Sequence, residues 1–234
     1  MWLYKRQILK KLLKGLDSYM TIRSNHVVFT SESFYNKYFS FLKKNKVEIK
    51  ENKFKSYNLV NPITKIKVDK IRIAYIGAFR YKNIIKYLIR SCSNYKNKVV
   101  LNFYGDGESE IIKEITLASN LFDNIYYHGA FSNPESLEKI YGENNLNFVA
   151  YDNKKENEKV ALPNKFYESG YFNIPIVCSS NTYVGEKVLE LKIGWVIDPT
   201  YRGIDCFIKE LTIKDIIDIH IRQTNLNKEI FEET

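Results

Sequence analysis

The stretch IRIAYIGAFRYKNIIKYLIRSC, residues 71–92, decides the expected fold. Its first part, Ile71–Gly77, is a short apolar run typical of a buried β-strand, and its second part, Asn83–Cys92, spaces apolar residues as an amphipathic helix does. A strand that leads through a short turn into a helix is the first half of a βαβ unit. The sequence after residue 92 shows whether further units follow.

The succession of strand and helix recurs as far as residue 198. The further predicted strands are Val99–Tyr104, Asn124–Tyr127, Leu146–Tyr151, Pro175–Ser179 and Trp195–Asp198, and the further predicted helices are Ser109–Leu121, Pro134–Tyr141, Asn164–Tyr171 and Tyr183–Leu191. Short apolar strands that alternate with helices form parallel sheets with helices on both faces. The sequence therefore predicts an α/β fold with a doubly wound parallel sheet, whose ligands bind beyond the carboxyl ends of the strands.

A less regular pattern precedes residue 71. The stretch Trp2–Met20 has the apolar spacing of a helix with a basic outer face; such a helix usually packs on a neighbouring sheet, and it can also lie on anionic lipid. After it we predict a strand at His26–Thr30, a helix at Ser33–Phe39 capped by Ser31, and a strand at Lys46–Lys50. The periodicity then weakens, which indicates a linker.

These patterns divide the chain into four segments. Residues 1–57 form a first, short region, residues 58–70 a linker, residues 71–203 the sheet domain, and residues 204–234 a mostly helical end. No internal repeat or low-complexity tract interrupts them.

Composition limits the class of protein. Of 234 residues, 44% are hydrophobic and 27% charged, so the chain can bury a sizeable core. No apolar run approaches the roughly 20 residues that span a bilayer, and the first residues lack the features of a signal peptide. The three cysteines, Cys92, Cys178 and Cys206, are too irregularly spaced for a disulfide framework or a metal knuckle. We expect a reduced, cytoplasmic protein.

The formal net charge of +9 has two explanations. It fits a polyanionic partner, such as nucleic acid, a membrane surface or a phosphorylated substrate. The lysines are nevertheless spread along the whole chain, so a general compositional bias fits as well.

The segment after the first predicted strand is a candidate anion site. Gly77 lets a ligand approach the backbone, and Arg80 follows just before a helix whose N-terminus favours anions. A diphosphate would suit this position. A tight turn with two exposed basic residues, Arg80 and Lys82, explains the same segment, which matches neither glycine-rich phosphate-binding motif.

Two further strand ends carry glycines. Gly105 precedes acidic residues that could contact a ligand hydroxyl, although a glycine-rich turn with an acidic helix start is the commoner arrangement. His128 precedes Gly129, and no cluster of His, Cys or carboxylates accompanies it, so a metal site is not expected. We expect the loop backbone at Gly129, rather than the imidazole, to border a base or a sugar.

The segment Ala161–Val177 gives the strongest signal. Pro163 and Asn164 can begin a helix, with Asn164 near its N-cap. Lys165 lies in the first turn, where a cation is unfavourable for the helix dipole, and this indicates an anion between the helix N-terminus and the ammonium. Glu168 follows on the same face, where its carboxylate could accept both hydroxyls of a ribose. An exposed ion pair between Lys165 and Glu168 explains the same spacing.

This combination resembles the nucleotide-sugar-binding half of a GT-B glycosyltransferase, of the kind grouped in glycosyltransferase family 4. The resemblance covers about Ile71–Asp198. It rests in part on Ile76-Gly77, Tyr104-Gly105-Asp106-Gly107, His128-Gly129 and the strand Leu146–Tyr151. Above all it rests on Leu162-Pro163-Asn164-Lys165-Phe166-Tyr167-Glu168 followed by Asn173-Ile174-Pro175-Ile176-Val177. These two segments together are similar to the family's PNK-[LF]-x-E…G-x-P-[IV] stretch. The resemblance implies a Rossmann-like GT-B C-terminal domain.

The resemblance also implies an activity and roles for individual residues. A sugar would pass from a nucleotide diphosphate sugar to an acceptor; Glu168 would hold the ribose, while Lys165 and Arg80 would act as catalytic residues by neutralising the diphosphate leaving group. Two fixed cations could stand in for a metal ion, so neither a metal nor a cofactor is expected. The expected substrate-binding residues are Gly77, Phe79, Gly105, Gly129, Tyr151, Asn164 and Glu168.

The chain departs from the family pattern in two ways. Many relatives carry an E-x7-E pair, whereas the position eight before Glu168 is Val160, so the contact to the donor sugar is absent or made otherwise. A GT-B enzyme also has two Rossmann-like domains. Residues 1–57 resemble only the closing elements of the N-terminal, acceptor-side domain, and residues 204–234 resemble the helices that pack back toward it.

Three hypotheses follow. The first is a glycosyltransferase of surface polysaccharide or glycan biosynthesis, truncated or completed by a partner chain, with a glycan or lipid-linked acceptor and peripheral membrane contact through the basic helix. The second is a nucleotide-sugar-binding module without turnover. The third, a nucleic-acid-binding protein, is not expected, because the tyrosines do not recur with basic residues in a known module pattern.

Overall fold

Two separately packed units make up the chain. The computed structural model describes residues 2–57 and 59–233, and within them the side chains of residue 9 and of residues from 11 onward. Residues up to Asn52 form unit 1, and residues from Lys53 form unit 2. Asn58, the first residue of the predicted linker, lies outside the described residues.

Unit 1 combines one long helix with a small parallel sheet. Its elements are α1 (Trp2–Arg23), β1 (Val27–Phe29), α2 (Glu32–Tyr38) and β2 (Val47–Ile49), with a 3₁₀ turn at Lys44–Lys46. The strands β1 and β2 pair in parallel. The Ser31 hydroxyl accepts the Phe34 N–H at 3.3 Å and caps α2, as the sequence predicts. The core of the unit is small and aromatic and consists of Phe29, Tyr35, Phe39 and Leu42.

Unit 2 is built from alternating strands and helices. The strands are β3 (Ile71–Phe79), β4 (Val99–Gly107), β5 (Ile125–Tyr127), β6 (Leu146–Val149), β7 (Ile176–Ser179) and β8 (Gly194–Ile197). The helices are α3 (Lys82–Asn94), α4 (Ser109–Leu121), α5 (Leu137–Glu143), α6 (Glu156–Val160), α7 (Asn164–Tyr171), α8 (Tyr183–Leu191), α9 (Tyr201–Glu210) and α10 (Ile213–Thr224), followed by a 3₁₀ turn at Lys228–Ile230.

The strand order of the large sheet is β5-β4-β3-β6-β7-β8, with every pairing parallel. The chain adds β4 and β5 on one side of β3, then crosses over and adds β6, β7 and β8 on the other side. This doubly wound order confirms the predicted fold class. Its topological switch point, where such sheets bind ligands, lies between the carboxyl ends of β3 and β6.

Different helices cover the two faces of the sheet. One hydrophobic cluster takes side chains from α3, α4, α9 and α10, and the other takes them from α5, α7 and α8. The alternation along β3 supplies both clusters, since Ile73 and Tyr75 point into the first and Ala74 and Ile76 into the second.

Three observations concern the segments that the sequence analysis named. The predicted linker packs within unit 2, because Val60 is 4% exposed and the Asn61 N–H donates to the Glu138 carboxylate at 2.9 Å. The short helix α6 was not predicted. Residues 204–234 contribute to the core of the sheet domain, since Ile208 of α9 and Phe231 are fully buried in its two clusters. Their predicted packing toward the N-terminal side stays a prediction.

Two further findings concern the class of protein. All three cysteines lie in the described ranges and are free, with Cys206 exposed and the other two buried. Among the described residues, none of the helices has both the length and the hydropathy that crossing a membrane requires.

Candidate functional site

A pocket of about 300 Å³, here named pocket A, lies at the switch point. Its lining comes from the end of β3 and the turn after it, from the end of β6 and from the start of α7. Five of the predicted site residues line it: Gly77, Arg80, Tyr151, Asn164 and Lys165. A second pocket of about 440 Å³ lies beside it and shares Arg80 and Tyr81 with it.

Two glycines near the carboxyl ends of β3 and β4 have positive φ angles. Gly77 has φ of +116°, and a Cβ there would lie 3.6 Å from Cε of Lys165, so the backbone of β3 approaches this lysine closely. Gly105 has φ of +138°, and a Cβ there would come within 1.9 Å of the Gly77 carbonyl oxygen. The role of Gly105 is therefore structural, because only a residue without a Cβ lets the end of β4 pack this closely against Gly77. It does not line pocket A.

The ammonium of Lys165 is held by the carboxylate of Glu168. Nζ lies 2.7 Å from Oε1 and 2.5 Å from Oε2, and the two side chains are 15% and 2% exposed. The predicted common helix face is confirmed, and the pair is buried rather than exposed. A ligand hydroxyl can reach the Glu168 carboxylate from pocket A only if Lys165 turns aside, so the predicted ribose contact requires this movement.

Behind Glu168 lies a buried polar network that sequence reasoning missed. The Tyr141 hydroxyl donates to Glu168 Oε2 at 3.0 Å, and the Asn147 amide donates to the Tyr141 oxygen at 3.2 Å and to the Ser169 hydroxyl at 2.7 Å. Burial raises the pKa of Tyr141 well above its ordinary value, and the neighbouring Glu168 adds to the rise. The phenol therefore remains a hydrogen-bond donor, and it fixes the position of the carboxylate.

Arg80 is exposed at the rim of pocket A and forms no ion pair with any other described residue. The lining of pocket A also includes Asn164, where α7 begins, and the N-cap residue Pro163 offers no side-chain hydrogen bond. The N-terminus of a helix carries partial positive charge. The lining thus combines a guanidinium, an ammonium and a helix N-terminus, which suits a ligand with at least one phosphate group.

Tyr151 forms the wall of pocket A above β6. Its N–H donates to the Ser179 hydroxyl at 2.7 Å, and this hydroxyl donates to the Tyr151 carbonyl at 2.6 Å. Its ring lies 5.2 Å from that of Tyr81, centroid to centroid. Burial raises the pKa of Tyr151 well above its ordinary value, so the wall is neutral and aromatic. A neutral aromatic surface suits stacking of a planar or sugar ring.

Two of the residues predicted to contact the substrate, Phe79 and Gly129, do not line pocket A. The Phe79 side chain is fully buried among the rings of Tyr75, Phe103 and Tyr127, because alternation along β3 points it into the core on the first face of the sheet. Gly129 does not line pocket A; its carbonyl accepts the Gly105 N–H at 2.8 Å, which makes it part of the turn.

His128 also lies outside pocket A. Its ring stacks on that of Tyr104 at 4.3 Å, and its Nε2 lies 3.0 Å from the Asn102 amide oxygen. Both partners line a groove on the open side of β4 and β5, away from the switch point. The structure therefore separates the imidazole from the candidate site.

The position of the missing glutamate is apolar. Val160, the last residue of α6, is 3% exposed and offers no carboxylate. Two residues earlier, Glu158 accepts a hydrogen bond from the Tyr81 hydroxyl at 3.0 Å, and its side chain is 13% exposed. This link between α6 and a pocket residue was not predicted, since α6 itself was not. Within the described part of the chain, no group of three or more His, Cys, Asp or Glu residues is arranged to hold a metal ion.

A doubly wound sheet with a basic pocket at its switch point is an arrangement of proteins that bind phosphorylated ligands. A family model described as Glycosyl transferases group 1 matches residues 57–211, and the chain belongs to this family. A search of curated proteins finds no significant match.

Solved structures share the fold at low sequence identity. The sucrose-phosphate synthase of Thermosynechococcus elongatus is 14% identical, with a TM-score of 0.67 over 94% of this chain and 59% of its own. Anabaena Alr3699/HepE in complex with UDP and glucose is 11% identical, with a TM-score of 0.65 over 93% and 64%. A mutant of S. aureus TarM, in complex with Fondaparinux, alpha-GlcNAc-glycerol and UDP, is 15% identical, with a TM-score of 0.63 over 92% and 44%. This chain thus spans between 44% and 64% of these proteins.

Proposed function

We propose that this chain binds a nucleotide diphosphate sugar in pocket A and takes part in the transfer of its sugar to an acceptor. The family supports glycosyl transfer, and relatives of the same fold hold UDP and glucose or UDP and a glycosylated glycerol. The observation that carries the proposal is the lining of pocket A, which includes Arg80, Lys165 and the first residue of α7.

In the proposed mechanism the two cations act on the leaving group. Negative charge grows on the departing diphosphate as its bond to the sugar breaks and the sugar becomes oxocarbenium-like. Arg80 and Lys165 both line pocket A, and in this proposal they contact the phosphates and neutralise this charge. This proposal assigns the role of a divalent cation to two side chains, so binding of the donor is expected to survive a chelator.

Binding would rearrange the pair of Lys165 and Glu168. The diphosphate would take over the ammonium, and the freed carboxylate would accept the ribose hydroxyls while Tyr141 keeps it in place. Hydrogen bonds to a charged group are stronger than neutral ones, and both the ammonium and the carboxylate keep such a hydrogen bond after the exchange of partners.

The finer assignments are also proposals. We place the chain near glycosyltransferase family 4 on its Pro163-Asn164-Lys165…Glu168 segment, and we propose a glycan or lipid-linked acceptor in polysaccharide or glycan biosynthesis. A second candidate function is binding without transfer. It is favoured by Val160, an apolar residue at the position where many family members carry the first glutamate of the E-x7-E pair.

A nucleotide panel tests the proposal. UDP, GDP and ADP are titrated separately against the protein while its thermal unfolding is followed. One of them is expected to raise the Tm, because a ligand that binds only the folded state stabilises it. Failure of all three would overturn the proposal. The sugar nucleotide that matches the stabilising base is then incubated with the protein and candidate acceptors; transfer supports the enzyme, and binding with no transfer supports the second candidate.

A further inference from the structure

Glu158, on the short helix α6, carries a buried carboxylate with one unpaired oxygen. Its side chain is 13% exposed, and its Oε1 accepts the hydrogen bond from the Tyr81 hydroxyl at 3.0 Å. Its Oε2 is buried and has no hydrogen-bond partner among the described residues. The ammonium of Lys155 lies 3.7 Å from Oε1, which is beyond hydrogen-bond distance, and that side chain is 68% exposed. A buried carboxylate that is only partly paired lowers the stability of a fold, so its presence points to a role besides packing.

Tyr81 connects this carboxylate to two pockets. It lines pocket A, and it also lines the neighbouring pocket of about 440 Å³, here named pocket B. Arg80 lines both pockets as well. A molecule whose phosphates bind at Arg80 therefore extends past Tyr81 when it enters pocket B.

The hydrogen bond to Glu158 decides the chemistry of the Tyr81 hydroxyl. Burial raises the pKa of Tyr81 above its ordinary value, and the hydrogen bond to Glu158 adds to the rise, so the phenol keeps its proton. Because this proton is donated to Glu158, the Tyr81 oxygen offers only its lone pairs to a bound molecule. A phosphate group at neutral pH presents mainly acceptor oxygens, whereas a sugar hydroxyl donates a hydrogen bond. The position beside Arg80 therefore suits a sugar rather than a further phosphate.

We propose that Tyr81 contacts the sugar of the donor and that Glu158 is the positioning residue that holds the Tyr81 hydroxyl as an acceptor. This inference rests on the proposed binding of a nucleotide diphosphate sugar in pocket A, and it gives that molecule a direction. The phosphates lie at Arg80 and Lys165, and the sugar extends past Tyr81 toward pocket B. The rings of Tyr81 and Tyr151, whose centroids are 5.2 Å apart, offer an aromatic surface to the sugar ring.

Isothermal titration of the full chain with paired compounds tests this inference. Whichever of UDP, GDP and ADP binds most tightly is compared with its sugar nucleotides, which are UDP-glucose, UDP-galactose and UDP-N-acetylglucosamine, GDP-mannose, or ADP-glucose. The deciding quantity is the affinity for the sugar nucleotide divided by the affinity for the diphosphate, because a change that only loosens the pocket weakens both. Tyr81→Phe keeps the ring and removes the hydroxyl. We expect it to lower this ratio about fivefold, the effect of one lost hydrogen bond, while the affinity for the diphosphate stays within about twofold.

Variants of Glu158 separate positioning from packing. Glu158→Leu removes the acceptor of the Tyr81 proton and is expected to lower the ratio about threefold or more. Glu158→Gln keeps a carbonyl oxygen for the Tyr81 hydroxyl and is expected to hold the ratio within about twofold of the wild type. The matched control is Glu156→Gln on the same helix, whose side chain is 58% exposed, and it is expected to leave the ratio unchanged.

The inference is overturned if Tyr81→Phe leaves the ratio unchanged, or if Glu158→Gln lowers it as much as Glu158→Leu does. If Glu158→Leu does not fold, Tyr81→Phe decides alone. A wild type that binds none of the diphosphates and none of the sugar nucleotides overturns the proposed function, and this inference with it. Normal binding of a diphosphate together with an unaltered ratio in Tyr81→Phe overturns this inference only.

Discussion

Replacing Lys165 by methionine tests the buried ion pair at the centre of the candidate site. Methionine keeps most of the apolar stem and removes the charge. In the wild type, Nζ lies 2.7 and 2.5 Å from the Glu168 oxygens, and Glu168 is 2% exposed. Without the ammonium, the Tyr141 hydroxyl at 3.0 Å is the remaining hydrogen-bond partner of the carboxylate among the described residues.

The expected cost follows from this geometry. Removing one member of a buried pair typically costs about 3–5 kcal/mol, because it leaves an uncompensated charge. We expect Lys165→Met to lower the free energy of unfolding by about 3 kcal/mol, near the lower end, because water in pocket A can reach the vacated place. The double variant Lys165→Met/Glu168→Gln carries no buried charge and is expected to lose less, about 1–2 kcal/mol.

Urea unfolding at neutral pH measures these differences. Lys159→Met is the matched control, since its ammonium lies 2.8 Å from Glu156 at the same spacing but the pair is 36% and 58% exposed. Exposed pairs contribute little, so this change is expected to cost under about 0.5 kcal/mol. The reasoning is refuted if Lys165→Met costs no more than the control, or if the double variant is less stable than Lys165→Met alone.

Three further changes test the structure around the site. Gly105→Ala is expected to cost about 3 kcal/mol or more in urea unfolding, since a Cβ would lie 1.9 Å from the Gly77 carbonyl at a φ of +138°; a loss under about 1 kcal/mol would contradict the close approach. Tyr141→Phe is expected to cost about 1–3 kcal/mol and to weaken nucleotide binding, because Glu168 loses a buried donor; unchanged binding would remove its positioning role. Thr212→Ala breaks the capping box of α10 and is expected to cost about 1 kcal/mol without altering nucleotide binding, and altered binding would contradict the assignment.

The sheet was predictable because its signals are local. Each strand of unit 2 is a short apolar run, and each run is followed by a turn and by helical spacing, as in Ile71–Cys92. Two features of unit 2 were not predicted, because the sequence around each of them carries no clear local signal. The helix α6 has only five residues and one buried side chain, Val160, so it carries no periodic signal. The segment 58–70 lacks periodicity as a linker does, yet Val60 is buried by contacts with residues far along the chain.

The candidate site was predictable in part for the same reason. Spacing alone places Lys165 and Glu168 on one face of a helix, and a glycine at the end of β3 marks the switch point. The burial of Glu168 and its bond to Tyr141 depend on how α5 packs against α7, which no local pattern encodes. The burial of the Phe79 ring was not foreseen, because β3 continues to that residue and its alternation turns the ring inward.

Isothermal titration of the wild type and two arginine variants tests the central claim most directly. The ligands are UDP, GDP, ADP and the corresponding nucleosides. We expect one diphosphate to bind at a single site and its nucleoside to bind at least about tenfold more weakly, because the phosphates carry the charge-assisted contacts. Arg80→Gln is expected to weaken that diphosphate about tenfold, whereas Arg222→Gln, which changes an exposed arginine of α10 outside pocket A, is expected to leave it unchanged. If no diphosphate binds, or if Arg80→Gln binds as tightly as Arg222→Gln, pocket A is not a diphosphate site.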